Sequence, residues 1–114
     1  MKNIFILFAL AFTLFSNAQI TQYSTNTSGT ITCVNTKQDL VVVHEAGVTL
    51  SLTLAFPANP SDGQKVTFTS VGGVTSLNIT AAIGTIINAL TGMAAGSPAT
   101  YMYYSATDKW YKLR

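Results

Sequence analysis

The chain has 114 residues, six Lys or Arg against four Asp or Glu, 9% charged residues and one cysteine. This length fits a single domain and leaves no room for two. A formal net charge of +2 excludes the broad basic stripe that nucleic-acid binding requires, and a lone cysteine excludes an intrachain disulfide.

Ile4 to Phe15 (IFILFALAFTLF) is apolar except for Thr13, follows Lys2 and leads into Ser16-Asn17-Ala18. A charged start, an apolar run and small residues at the cleavage positions make a secretory signal peptide. Residues 1–18 are assigned to it, with cleavage between Ala18 and Gln19. As a helix the run would span about 18 Å, short of the roughly 30 Å of a bilayer interior. The alternatives are an uncleaved N-terminal membrane anchor or a buried N-terminal helix. The chain is accordingly expected to be exported to the periplasm, the cell surface or the medium, or to belong to a virion.

Residues 19–38 (QITQYSTNTSGTITCVNTKQ) form a Thr- and Ser-rich extended lead-in broken at Ser28-Gly29. Cys33 within it is expected to be a small buried hydrophobe. Residues 39–114 make the β domain. Leu40 to Val43 reads as a strand buried on both faces. Val48 to Leu54 alternates apolar residues with Thr49, Ser51 and Thr53, which predicts a half-buried strand with Val48, Leu50, Leu52 and Leu54 inward.

Asn59-Pro60-Ser61-Asp62-Gly63 is a turn, because proline fixes φ and glycine accepts positive φ. Lys65 to Ser70 then restarts a strand with Val66 and Phe68 inward. Val71-Gly72-Gly73 reads as a hairpin turn into Val74 to Thr80, whose Leu77 and Ile79 point inward. In Ala81 to Ala95, isoleucines at helical spacing compete with Gly84, Thr85 and Gly92, and short strands with turns are favoured over a helix. Ala99 to Ser105 is an aromatic strand, and Lys109 to Leu113 closes the chain. The expected fold is all-β: a single antiparallel β-meander sandwich or barrel-like domain of about seven strands, preceded by the apolar signal helix.

Catalytic groups are sparse. A hydrolytic triad needs a histidine oriented by an acid. His44 is the sole histidine, and its neighbour Glu45 would face the other way in a strand, so His44 is read as an exposed turn residue. The four acids, Asp39, Glu45, Asp62 and Asp108, all sit beside turns. No clustered ligands suggest a metal site. The chain is read as a non-enzyme without cofactor or metal.

Aromatic residues gather near the C-terminus. Tyr101 and Tyr103 share one face of their strand, Met102 and Tyr104 the other. Core packing and sugar stacking are both open to such residues, and Tyr101, Tyr103 and Trp110 are taken as the candidate ligand or subunit contacts.

In order, Asp39-Leu40-Val41-Val42-Val43, the alternating strand to Leu54, Phe56-Pro57 with Asn59-Pro60, the strand Lys65 to Thr69, the Leu77 to Ile79 strand, Ile83-Gly84-Thr85-Ile86, Tyr101 to Tyr104 and Lys109-Trp110-Tyr111 resemble a small β module of bacteriophage tail-fibre and other phage structural proteins. The module is also seen in bacterial surface proteins. The resemblance implies a β domain without cofactor that serves as a fibre tip, spacer or receptor-contacting piece and is often trimeric. Low charge and small size also point to a homo-oligomer. The expected role is self-assembly, binding to a cell-surface ligand such as a glycan or envelope component, or both. Nucleic acid is not an expected partner, and a membrane is one only through an uncleaved N-terminus. The alternative role is that of a virion structural protein held by such an anchor.

Overall fold

The structure is a computed structural model, and it describes residues 19–113. The signal segment, its helix and the Ala18 side of the cleavage position lie outside the described residues; Gln19 opens the first strand. Nine strands follow: β1 (Gln19–Ser24), β2 (Thr30–Thr32), β3 (Asp39–His44), β4 (Thr49–Ala55), β5 (Lys65–Ser70), β6 (Val74–Thr80), β7 (Thr85–Ile87), β8 (Ala99–Tyr104) and β9 (Lys109–Lys112). The described residues contain no helix, and the Ala81 to Ala95 stretch yields β7 and turns.

The all-β class is as expected, but the antiparallel meander is replaced by a solenoid-like winding. The chain alternates between two sheets, β1, β3 and β5 in one and β2, β4 and β6 in the other. Each strand therefore lies parallel to the strand one coil earlier. A parallel pair needs a crossover of a dozen or more residues, and here the strand of the opposite sheet is the crossover. The residues read as a lead-in supply β1 and β2, the first coil. Twenty residues separate Ile20 from its partner Leu40, but twenty-six separate Leu40 from Val66, which explains why no sequence repeat is visible.

Like residues stack along the winding. Ile20, Leu40, Val66 and Tyr101 form one ladder and Gln22, Val42, Phe68 and Ala99 the next. Ile31, Leu54 and Ile79 face them from the other sheet. Leu40, Val42, Val66, Leu52 and Leu54 are all within 1% of full burial. Val41 and Val43 are half-buried, so β3 alternates instead of being covered on both faces.

The corners explain two further departures. Val71-Gly72-Gly73 is no hairpin: it carries the chain from one sheet to the other and lies directly on the corner Glu45 to Val48 of the coil before. Val71 N–H donates to His44 O at 3.0 Å and Thr49 N–H to Gly73 O at 3.2 Å. Beyond this corner β4 and β6 bend together, each with two successive exposed residues, Leu50-Ser51 beside Thr75-Ser76. The alternation loses phase there. Thr49 becomes fully buried, whereas Val48 and Leu50 stand 76% and 73% exposed; Leu52 and Leu54 keep their inward places.

The opposite corner is held by Gln64, which is 2% exposed. Its amide donates to Thr36 O at 2.7 Å and Gln38 O at 2.8 Å, and its carbonyl accepts from Ser61 N–H at 3.0 Å. A buried amide whose oxygen and both N–H groups are used ties the successive loops together without an orphaned polar atom.

After β6 the winding ends. β8 runs antiparallel to β5 and β9 antiparallel to β8, with β7 parallel to β9 at the sheet edge. Thr91 and Met93 cover the first half of the outer edge of β6: Leu77 N–H donates to Thr91 O, and Val74 and Met93 exchange both backbone bonds.

Cys33 is 4% exposed within the core, as expected of a small hydrophobe, and burial pushes its thiol from 9.0 up to about 12. The unfolded chain releases this proton at ordinary thiol pH while the folded chain keeps it. The associated stability is therefore whole below pH of about 9 and is lost as pH rises towards 12, at up to about 1.4 kcal/mol per pH unit. Burial first, opposed by the Leu90 amide, raises Tyr101, and the Asp108 hydrogen bond first raises Tyr103, so both act in the same direction at higher pH. Urea midpoints measured at pH of about 8 and about 10.5 should fall further for the wild type than for Cys33→Ala. Equal falls would remove Cys33 as the source.

Candidate functional site

The three aromatic residues expected to make contacts are core residues. Trp110, Tyr101 and Tyr103 are 0%, 1% and 6% exposed. They face inward because β8 and β9 lie across the end of the winding, where Phe56 from the corner after β4 meets them. Ring centroids of Phe56 lie 4.7 Å from Trp110 and 5.5 Å from Tyr101, and Tyr103 lies 5.3 Å from Trp110, within the range of favourable tilted packing.

Their polar tips are spent on the backbone of the closing segment. Tyr101 O–H donates to Asn88 O at 3.1 Å and accepts from Leu90 N–H at 3.0 Å, while Trp110 Nε1–H donates to Ile83 O at 3.2 Å. Tyr103 O–H donates to Asp108 Oδ1 at 2.7 Å. These side chains fasten the cap and present no contact surface.

His44 is likewise not an exposed turn residue: it is 0% exposed. It ends β3 on an inward position, between Ser24 and Ser70 of the neighbouring coils. Ser70 Oγ accepts from Gly73 N–H at 3.1 Å and lies 2.8 Å from His44 Nδ1. The Asn26 carbonyl, which can only accept, faces Nε2. In the neutral ring the proton therefore sits on Nε2, and the Ser70 hydroxyl donates to Nδ1. Ser70 and His44 resemble part of a triad, but the carbonyl stands where an acid would be and both side chains are sealed from solvent. The pair is a polar clip in a corner.

Among the described residues no group of three or more His, Cys, Asp or Glu side chains could hold a metal ion. A groove of about 200 Å³ lies between Leu90, Met93, Pro98, Ala99 and Lys112. It is smaller than the roughly 300–1,000 Å³ of ordinary small-molecule sites.

What the cap does expose is the other face of the same strands. Tyr104 is 45% exposed, and Met102 and Tyr111 are half-buried beside it. Register sets Met102 opposite Tyr111 and Tyr104 opposite Lys109, with Lys65 of β5 beyond Met102. The Tyr104 and Tyr111 rings approach edge to face with centroids 6.5 Å apart, and the Tyr111 hydroxyl meets Thr107 Oγ1 at 2.9 Å. Two phenols, a thioether and two ammonium groups on one solvated sheet face can stack on a flat apolar surface and hydrogen-bond around its rim. Alternation along Tyr101 to Tyr104 separated the two faces in the sequence; which one the core would take depended on Phe56, distant in the chain.

Comparison of the chain with models of protein families, with curated proteins and with solved structures found no match.

Proposed function

We propose that the chain is an exported or surface-exposed, non-enzymatic β-solenoid module, resembling a phage-fibre piece, that works through its outer surface by binding a cell-surface ligand and by assembling with copies of itself. The observation carrying the ligand half is the pair of exposed Tyr104 and half-buried Tyr111 on the outer face of the cap. Aromatic rings held by strands, ringed by hydroxyl and ammonium groups, suit the apolar face and hydroxyl rim of a sugar ring, so a glycan of the cell envelope is the ligand class.

The test is retention of the purified protein on immobilised peptidoglycan, lipopolysaccharide and a neutral polysaccharide. The wild type should be held by at least one of these, and Tyr104→Ala with Tyr111→Ala should lower retention at least tenfold while the urea midpoint stays near wild type. Retention on none, or undiminished retention of the double variant, would sink the glycan reading. A second reading, a virion structural protein with a retained anchor, is favoured by the apolar run Ile4 to Phe15. N-terminal sequencing of the native protein separates the two, because a start at Gln19 excludes the anchor.

A further inference from the structure

We infer that the open first coil is a self-pairing edge, and that two copies join through β1 in an antiparallel, two-fold ladder that makes their larger sheets continuous. This names the partner and the surface for the assembly half of the proposed function. It uses none of the residues of the glycan half.

The two ends of the winding differ. At the C-terminal end, β6 is paired at Val74 and Leu77 by Met93 and Thr91, which leaves only its last residues uncovered, and β7 is a three-residue strand bracketed by left-handed residues, Gly84 at φ 89° and Asn88 at φ 57°. Neither edge offers an unbroken ladder of the length of β1. At the N-terminal end the smaller sheet is also blunted, by side chains: the Gln22 amide donates to Thr32 O at 2.8 Å and its carbonyl accepts from Val34 N–H at 2.9 Å, while Asn26 Nδ2 donates to Thr30 O at 3.3 Å. These amides take the place of the next coil's peptide groups.

Among the described strands, β1 alone is open along its whole length. Ser24 O accepts from Glu45 N–H at 2.7 Å, which fixes the alternation: Ile20, Gln22 and Ser24 direct their peptide groups to β3, and Thr21 and Tyr23 direct theirs away. Among the described residues nothing pairs with that side of β1. The usual protections of an edge are a charge, a proline, a bulge or shortness. β1 pairs over six residues without a break, and residues 19–36 contain no charged residue and no proline. Tyr23 stands 65% exposed.

The occupant follows from the asymmetry. Head-to-tail stacking would need an open edge of matching length at the other end, and β6 and β7 offer only short ones. Two N-terminal ends can meet, and the resulting interface is isologous and ends growth at two copies. Strands without charged side chains meet without like-charge repulsion between directly opposed residues. In an antiparallel ladder the two Gln19 residues lie at opposite ends of the pairing.

The test is the mass of the native protein, purified from its producing cells, by light scattering at high micromolar concentration. Twice the monomer mass is expected, unchanged by salt. Thr21→Pro removes an outward N–H without touching the ladder to β3, and Tyr23→Lys adds an edge charge; each should halve the mass while circular dichroism stays as in the wild type. Tyr23→Lys alters no peptide group and carries the test should the proline variant unfold. Tyr104→Ala with Tyr111→Ala, which tests the glycan half, should remain at twice the monomer mass, as should Val48→Ser with Leu50→Ser. A monomeric wild type, a trimer, an open series of species, or edge variants that keep the doubled mass would each overturn the inference.

Discussion

Replacing Trp110 with alanine should remove about 3–5 kcal/mol of stability, the range for deleting a large buried aromatic side chain. A domain of this size has a total margin of about 5–15 kcal/mol, with small domains near the lower end, so the variant should lose a large share of its stability. The indole is 0% exposed and packs on both Phe56 and Tyr103. It also holds Ile83 O through Nε1, and Gly84 approaches so closely that an added Cβ would lie 3.4 Å from Trp110 Cδ1. One side chain thus joins the winding, the hairpin of β8 and β9, and the closing segment.

The measurement is urea unfolding followed by circular dichroism, since the variant loses the chain's one tryptophan. With a slope of about 2 kcal/mol per molar urea, the midpoint should fall by about 2 M. Trp110→Phe keeps the ring stacking and loses the Ile83 bond, and should fall by about half as much. Tyr104→Ala, on the outer face, should shift stability by no more than about 0.5 kcal/mol. A midpoint for Trp110→Ala within error of wild type would mean that β9 does not close the core.

Much of the local structure was legible in the sequence. Val66 and Phe68, Leu77 and Ile79, and Leu52 and Leu54 read correctly because each set lies in a straight strand where period two is reliable. The positive φ of Gly29 and Gly63 was visible as Ser28-Gly29 and Asn59 to Gly63. The direction of pairing was not visible, because parallel and antiparallel strands share that period and differ only in where the connection goes. Short Gly-containing links look like hairpins until each neighbouring strand is found in the other sheet.

Val48 and Leu50 misread for a related reason: the strand turns a corner, and alternation does not survive a bend. At the candidate site, the sequence located the aromatic strands and the division into two faces but took the buried face as the one for contact. Tyr101, Tyr103 and Trp110 carry the larger payload of buried area, and Phe56 draws that face inward, leaving Tyr104 and Tyr111 outside. His44 had no readable partner in sequence, since Ser70 and Asn26 reach it only when the coils stack.

The stacking itself can be broken at one atom. Gly72→Ala should abolish cooperative folding or cost at least about 3 kcal/mol, the upper end of ordinary overpacking. A Cβ on Gly72 would meet the backbone of the preceding coil, the Gly47 carbonyl carbon, Gly47 O at 2.5 Å and Ala46 O at 2.6 Å. Peptide atoms of a corner cannot rotate away as a side-chain end can. Relief requires the coils to separate, which weakens the Val71 to His44 and Thr49 to Gly73 backbone bonds together and pulls on the sealed His44 and Ser70 clip beneath. Gly47 provides the internal contrast: a Cβ there meets nothing within 4 Å, so Gly47→Ala should stay within about 0.5 kcal/mol of wild type although the two glycines touch. Thermal and urea unfolding of the pair measure this directly. Two hairpin turns in a meander would tolerate alanine alike; only a corner laid upon a corner makes one glycine indispensable and its neighbour replaceable.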